Sequence, residues 1–328
     1  AVRVIRAARE LGIRTLLATS DADRNSRAAA MADEVLCLPG NTASETYLDA
    51  ESILRLAVDH RADAVHPGYG FLSERADFAD RCEAAGLRFV GPPGSAMRRL
   101  GSKRDAKELA IACGVPTVPG FFAPRATDAD LLDAADRLGY PVMLKATAGG
   151  GGRGMRPAFT RAELSELLPV ARQEALQGFG DDEMLVEKLV QRPRHVEIQV
   201  LADSHGRALS LGERECSVQR RRQKVLEESP YPLPGAPIPA LEEAAVRLAQ
   251  ESGYRNAGTC EFLLDEATGE FYFLEVNARL QVEHPVTEEV TGWDLVQWQL
   301  AIASGESLPD SAPRRRGHAI EARILAEN

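Results

Sequence analysis

The sequence is poor in the features that mark secreted, membrane and nucleic-acid-binding proteins. Its five cysteines, Cys37, Cys82, Cys113, Cys216 and Cys260, are widely spaced, odd in number and form no C-x-x-C pair. That usage fits a reducing compartment with buried thiols, and a cytoplasmic address is expected. No apolar run approaches the ~20 residues of a spanning helix and no signal peptide is visible, so no membrane association is expected. Positive charge is not in excess. The net charge of −10 and the pI near 5.3 argue against a nucleic-acid partner. No His/Cys cluster has zinc spacing, and no internal repeat or low-complexity stretch stands out.

What remains is a globular chain of 328 residues, 44% hydrophobic and 27% charged, too long for one ordinary core. Up to Val90, short apolar strands alternate with helical patterns. Strands are expected at Thr15–Ala18, Glu34–Leu38, Ala64–His66 and Arg88–Val90, with helices at Tyr47–Asp59 and Glu74–Ala85. The alternation implies one parallel, doubly wound sheet. The chain opens on an amphipathic helix with Val2, Ile5 and Leu11 inward, as if a preceding strand were missing, so an internal piece of a longer protein is expected. Two short helices over 91–116 lead to a second unit, 117–190. There a helix at Asp130–Leu138 precedes a strand running into a glycine-rich loop, followed by a strand around Met155–Ala158. Thr160 and Glu163 form a capping box for the next helix, and the strand Met184–Lys188 closes the unit. From 191 the chain is rich in strands. HVEIQVLA sets Val196, Ile198 and Val200 against Glu197 and Gln199, and strands at Ala208–Gly212, Thr259–Leu264 and Phe271–Asn277 accompany a helix at Leu241–Ser252.

The glycine loop, LKATAGGGGRGM, contains Gly149, Gly151 and Gly154 in the G-x-G-x-x-G spacing. The dinucleotide fingerprint needs a helix directly after its glycines. Here Met155-Arg156-Pro157 intervenes, and no Gly-Lys-Ser/Thr follows to make a P-loop. A loop joining two strands, with Lys145 at its entrance and Arg153 within it, is better suited to cover phosphates.

Two apolar strands carry acids. Glu275 and Asn277, two residues apart, point to one face, and Glu261 joins them if the strands form a hairpin. Two carboxylates and an amide oxygen suit Mg²⁺ beside nucleotide phosphates. In the following ARLQVEHPVTE, Arg279, Gln281 and Glu283 alternate on one strand-like face, an anion binder, an amide and a base. His284 reads as structural. The basic run CSVQRRRQK, with Arg220, Arg221, Arg222 and Lys224, reads equally as a solvated loop or a pocket for small anions, and Arg314–Arg316 reads as a solvated loop.

HPGYGFLSE, KATAGGGGRGM, PRHVEIQVLAD, CSVQRRRQKV, EVNARLQVEHPVTE and GHAIEAR together resemble biotin carboxylase, the ATP-grasp component of biotin-dependent carboxylases, over essentially the whole chain. The resemblance implies an α/β and α+β fold. A Rossmann-like N-terminal domain lacking its first strand (1–90) would be followed by a helical linker (91–116). An ATP-grasp lid domain (117–190) and an incomplete mixed-sheet C-terminal domain (191–328) would complete it. It implies that ATP activates bicarbonate as carboxyphosphate and that biotin on a carrier domain is then carboxylated. Cofactors would be ATP, Mg²⁺ or Mn²⁺, and biotin. Partners would be a biotin carboxyl carrier domain, a carboxyltransferase that selects an acyl-CoA or pyruvate, and a second copy of the chain.

Carried over by position, Lys103 and Lys145 would contact phosphates, Gly151 and Gly152 belong to the lid, and Glu187, Lys188, Leu189 and Val190 hold adenine. His195, Gln219 and Arg222 would lie on the ribose side, and Tyr69 near biotin. Glu261, Glu275 and Asn277 would hold metal. Lys224, Arg279, Gln281 and Val282 would form the bicarbonate site, with Glu283 its base and Arg323 the group that stabilises the biotin enolate. Arg3, Arg6 and Glu10 match the first-helix region of family dimers. Arg222 stands where several members have histidine, and Ala278 where threonine is commoner. A carbamoyl-phosphate synthetase half, which also activates bicarbonate, is the alternative.

Overall fold

The computed structural model describes residues 1–148, 154–221 and 223–325, with only the backbone of Lys103. Among these, α1 (Val2–Glu10) buries Ile5, Ala7 and Ala8. Leu11 is exposed, contrary to the helical pattern, because the helix stops at Glu10 and Gly12 turns the chain away at φ +70°. β1 (Leu16–Ser20) then pairs in parallel with β2 (Glu34–Leu38) across α2 (Arg27–Met31). After α3 (Ala50–Asp59), β3 (Ala64–Val65) pairs in parallel with β4 (Arg88–Phe89) across α4 (Ala76–Ala84). The described residues thus form two separate parallel pairs rather than one continuous sheet, and two-residue strands offer little edge for more. Helix starts moved for local reasons. Asp49 accepts from the Ser52 amide, so α3 begins at Ala50 and not Tyr47. α4 begins after Glu74, whose carboxylate binds elsewhere, as described below.

α5 (Gly94–Gly101) and α6 (Lys103–Ala112) lead into a four-stranded antiparallel sheet ordered β5-β8-β6-β7. Its strands are β5 (Gly120–Phe121), β6 (Val142–Ala146), β7 (Met155–Ala158) and β8 (Met184–Lys188). Two helices, α7 (Asp128–Leu138) and α8 (Arg161–Phe179), cover it. The complete capping box is at α7, where Thr127 and Asp130 satisfy each other's amides. At α8 Thr160 accepts from Glu163, but the Glu163 carboxylate takes the Phe159 amide instead. Leu131, Leu144, Leu164, Leu168 and Val186 give this unit a core of its own within residues 126–186.

The large sheet is ordered β13-β12-β9-β10-β11-β14. It comprises β9 (Pro193–Ala202), β10 (Ala208–Arg220), β11 (Gln223–Ser229), β12 (Asn256–Asp265), β13 (Phe271–Asn277) and β14 (Ala319–Ala322). Every ladder in it is antiparallel, not mixed, because short turns link β9 to β10, β10 to β11 and β12 to β13; parallel pairing is limited to a bridge between Thr117 and Phe273. β10 is far longer than expected, since GERECSVQR continues the strand.

One face of this sheet is apolar. Val196, Ile198, Phe262 and Leu264 pack with α9 (Ile238–Ser252) and with Leu54, Phe78, Leu100 and Val115, so the helices before residue 116 share its core. Burying each such side chain contributes about 1.5–3 kcal/mol. Leu201 and Leu211 meet Ala7 of α1 and Leu295 of α11 (Leu295–Ala303), which follows α10 (His284–Thr291). Glu197 and Gln199 alternate with the apolar residues of β9 as expected, yet both have 0% exposure. Their face of the sheet is therefore a buried polar floor.

Candidate active site

Above that floor lies a cleft of about 620 Å³, lined from one side by the four-stranded sheet and from the other by the large sheet. Lys145, Glu187, Lys188, Leu189 and Val190 reach it from the small sheet. His195, Gln219, Lys224, Glu261, Glu275, Asn277, Arg279, Gln281, Val282, Glu283 and Arg323 reach it from the other side. Tyr69 does not line the cleft. Its ring packs against His284 with centroids 6.1 Å apart. Gly149, Gly151, Gly152, Arg153 and Arg222 lie outside the described residues, as does the Lys103 side chain.

The expected hairpin forms, and Glu261 of β12 stands directly opposite Glu275 of β13. The register shifts between Glu261 and Phe262, an irregularity of the kind that re-aims side chains beside sites. Glu261 Oε1 accepts from Asn277 Nδ2 at 2.9 Å, Gln281 Nε2 at 3.0 Å and Lys224 Nζ at 3.0 Å, and Oε2 lies 3.0 Å from His195 Nε2. Burial alone would raise its pKa, but His195 and Lys224 outweigh burial and hold the carboxylate well below the usual range. Burial likewise opposes the charge on His195, and Glu261 reverses this and raises its pKa. Paired carboxylates at one register position, with an amide two residues on, are a hard-oxygen donor set that fits Mg²⁺. Asn277 turns its Oδ1 to Arg279 Nη2 at 3.1 Å, so it would rotate its amide to present oxygen to a metal.

The floor is organised by Arg214, which the sequence reading missed. It is fully buried, and all five guanidinium hydrogens have acceptors. Nε donates to Glu197 Oε1 at 2.6 Å. Nη1 donates to Gln199 at 2.7 Å and Thr287 at 2.9 Å, and Nη2 to Thr259 at 3.1 Å and Gln281 Oε1 at 2.9 Å. Held by its oxygen, Gln281 aims its NH₂ at Glu261. The signal available in sequence was the pair of polar residues on apolar β9 together with ERE in β10.

Lys224 leaves the basic run for the interior and pairs with three carboxylates: Glu197, Glu261 and Glu283, the last at 2.6 Å. Burial opposes its charge, yet these neighbours raise its pKa strongly. Glu283 Oε2 accepts from Arg323 Nη2 at 2.9 Å, and Arg323 Nε donates to Glu227 at 2.6 Å. The carboxylate of Glu283 is thus held between two cations, 2% exposed.

Residues 278–283 are not a strand. They form an irregular segment ending in a turn before α10, because the Gln281 carbonyl accepts the His284 ring Nδ1 at 2.8 Å and Pro285 opens the helix. Arg279, Gln281 and Glu283 nevertheless converge on the cleft. Arg279 is steered by Glu74, which accepts its Nε at 3.3 Å and the Ala278 amide at 3.0 Å. This gives the last residue of HPGYGFLSE a task that was not foreseen. Ala278 is buried in the large core, where a methyl group fits. His284 is buried, and burial lowers its pKa to about 4, in keeping with a structural residue. Arg315, expected in a solvated loop, pairs instead with Glu213 and, at 3.0 Å, Glu242. Cys37, expected buried, is exposed on β2 because its strand face is open there.

At the small-sheet end, Lys145 at 2.5 Å and Lys107 at 3.0 Å share the buried carboxylate of Glu187. Burial would raise the pKa of Glu187, and the two ammonium groups lower it. Gly120 lets β5 approach it: a Cβ there would lie 2.7 Å from Glu187 Cγ. Gly154, at φ +71° and against Ala146, returns the chain from the glycine loop into β7. Lys188 turns its ammonium to the Gly139 carbonyl at 2.7 Å. Lys107 was not singled out in sequence, where nothing marks it within an ordinary helix.

A family profile described as "Biotin carboxylase, N-terminal domain" matches residues 1–97, and one described as "Carbamoyl-phosphate synthase L chain, ATP binding domain" matches 102–311. The chain is 50% identical to the mitochondrial methylcrotonoyl-CoA carboxylase subunit alpha of Glycine max. That match covers 100% of this chain and 45% of the relative, so the chain spans under half the length of such relatives. It superposes with a TM-score of 0.96 on a Campylobacter jejuni biotin carboxylase solved as a beta-gamma-ATP complex, at 41% identity, covering 100% of this chain and 74% of that one. With the biotin carboxylase domain dimer of Hydrogenobacter thermophilus 2-oxoglutarate carboxylase, in complex with MgADP, ADP and bicarbonate, the TM-score is 0.92. The identity is 44%, covering 98% and 71% of the two chains.

Proposed function

Because the chain belongs to the biotin carboxylase family, with that family's N-terminal domain followed by an ATP-grasp domain, we propose that it carries out ATP-dependent carboxylation of biotin. Residues 1–90 would be the N-terminal domain, 117–190 the lid and 191–325 the described remainder of the ATP-grasp fold. The observation that carries the reading is Glu283 clamped by Lys224 and Arg323 in the same cleft as Lys145, Arg279 and Gln281.

Bicarbonate is a weak nucleophile, and its charge is repelled by ATP. Arg279, Gln281 and the main chain at Val282 would hold it, and Glu283 would take its proton as a carbonate oxygen attacks the γ-phosphorus and ADP leaves. Lys145 and Lys103 would draw phosphate charge, and the glycine loop around Gly151 and Gly152 would exclude the water that hydrolyses carboxyphosphate. Glu261, Glu275 and Asn277 would hold Mg²⁺, which when bound neutralises the polyphosphate. Glu187 to Val190 would border adenine, and His195, Gln219 and Arg222 the ribose. The CO₂ unit would then pass to the biotin ring nitrogen as the released phosphate takes that nitrogen's proton, with Arg323 stabilising the biotin enolate and Tyr69 near that site.

Biotin would arrive on a carrier domain and leave for a carboxyltransferase. The Hydrogenobacter relative's dimer and bicarbonate support a dimeric, bicarbonate-using parent protein. Free thiols fit a reducing compartment, the cytoplasm being the expected one.

In the parent protein, ATP hydrolysis should require bicarbonate and rise with free biotin. Turnover without bicarbonate and indifferent to biotin would contradict the proposal. The carbamoyl-phosphate synthase name of the second matched profile supports one other reading, a carbamoyl-phosphate synthetase half. Labelled bicarbonate recovered in carbamoyl phosphate would establish it.

A further inference from the structure

Behind Arg323 lies a pair of acids that the reaction as drawn does not use. Glu227 of β11 and Glu321 of β14 stand opposite one another in the antiparallel ladder, so their side chains share one face. Glu227 has 0% exposure. Its Oε1 accepts from Arg323 Nε at 2.6 Å. Two further oxygens, Glu227 Oε2 and Glu321 Oε2, are buried with no hydrogen-bond partner among the described residues. Two buried acceptors without a donor are costly, and two adjacent carboxylates resist ionising together. One proton removes the repulsion and turns one of the two acceptors into a donor.

We propose that Glu227 and Glu321 are a one-proton acid pair that positions Arg323: ionised Glu227 anchors the guanidinium, and the proton stays on Glu321. The asymmetry follows from contacts, since Glu227 has the arginine and Glu321 does not. Burial, then Glu227 and Glu283, push the Glu321 carboxyl up to about 7, with Arg323 and Arg214 opposing. Burial raises Glu227 as well, against Arg323. Among the described residues, Lys224 on β11, Glu283 at the start of α10 and Tyr69 from the preceding domain also act on the pair. On α10 itself, His284 is engaged by the Gln281 carbonyl and Glu288 by Arg3. When Glu321 ionises, a second negative charge beside Glu227 draws Arg323 off Glu283 and off biotin. The pair therefore acts as a positioning device with a pH dependence of its own.

The inference rests on the proposed role of Arg323, and the test separates the two. In the parent protein, bicarbonate-dependent ATP hydrolysis is followed without biotin and with saturating biotin, from about pH 6 to 9, a window spanning the ordinary histidine range. The biotin-dependent increment should fall as pH rises through about 7 in the wild type, and Glu321→Gln should flatten that limb. Glu227→Gln should lower kcat for biotin about tenfold to a hundredfold, the scale for a misplaced reacting group, with KM for ATP unchanged. Hydrolysis without biotin reports that each variant is folded. No biotin increment in the wild type would overturn the function itself. An increment whose limb survives in Glu321→Gln, or a Glu227→Gln enzyme with wild-type kcat, would overturn the acid pair alone.

Discussion

At the small-sheet end of the cleft, two lysines, Lys107 and Lys145, share one carboxylate on Glu187. On the large sheet, one arginine, Arg214, spends all five donors on five acceptors, and its partners Glu197 and Gln281 continue to Lys224 and Glu261. The first arrangement leaves positive charge in excess, which under the proposed function would turn to phosphate oxygens. The second has no donor to spare and fixes geometry. The function proposed above, which would place a polyanion at one end and a small anion at the other, would use both, one loosely satisfied and one closed.

The sharpest way to break this contrast is to remove Arg214. Arg214→Ala would leave Glu197 buried beside Lys224 alone and take a donor from four other polar groups. A loss of about 3–5 kcal/mol is expected from uncoupling a buried pair, measured as a shift of the urea midpoint in the parent protein. A loss below about 1 kcal/mol, the scale of an exposed pair, would mean that the floor is not closed.

Next in size is Glu283→Gln, which keeps the shape of the side chain and removes the proposed base. Bicarbonate-dependent turnover should fall on the order of 10²-fold or more.

Glu187→Gln should be milder, about 1–3 kcal/mol, the scale for hydrogen bonds to charged groups. Its sign with pH sharpens the comparison. The folded pKa of Glu187 lies below the ordinary value, so its stabilisation is present above about 4.3 and is lost as pH falls through the folded value. The gap between wild type and Glu187→Gln should be full at pH 7 and close in acid.

Smallest is Arg315→Ala. Its pairs with Glu213 and Glu242 lie at a side chain 34% exposed, and a change within about 1 kcal/mol is expected from the same denaturation curves.

Sequence reasoning reached those parts of the site that local chemistry announces. Glu261, Glu275 and Asn277 stood out because acids on apolar strands are costly, and the hairpin joins them as geometry required. Lys224 could be read two ways, since a basic run looks alike whether a residue points to solvent or turns inward. Only the antiparallel pairing of β10 with β11 carries it to Glu197. Arg214 and Glu74 were not legible, because their partners lie 15 to 73 and about 204 residues away in the chain. The same holds for the sheets. Many strand positions followed from periodicity, but β5 and β11 were not foreseen, and two parallel pairs in place of one sheet, and an antiparallel large sheet in place of a mixed one, depend on pairings that periodicity does not encode.

The proposed function has this cleft move the carbon of bicarbonate onto biotin. Supplying the parent protein with isotope-labelled bicarbonate, ATP, Mg²⁺ and biotin, then isolating the biotin before acid treatment, tests it most directly. Acid-labile label on biotin is expected, dependent on ATP and lost in Glu283→Gln. Label absent from biotin while ATP is consumed, or label equal in the variant, would contradict it.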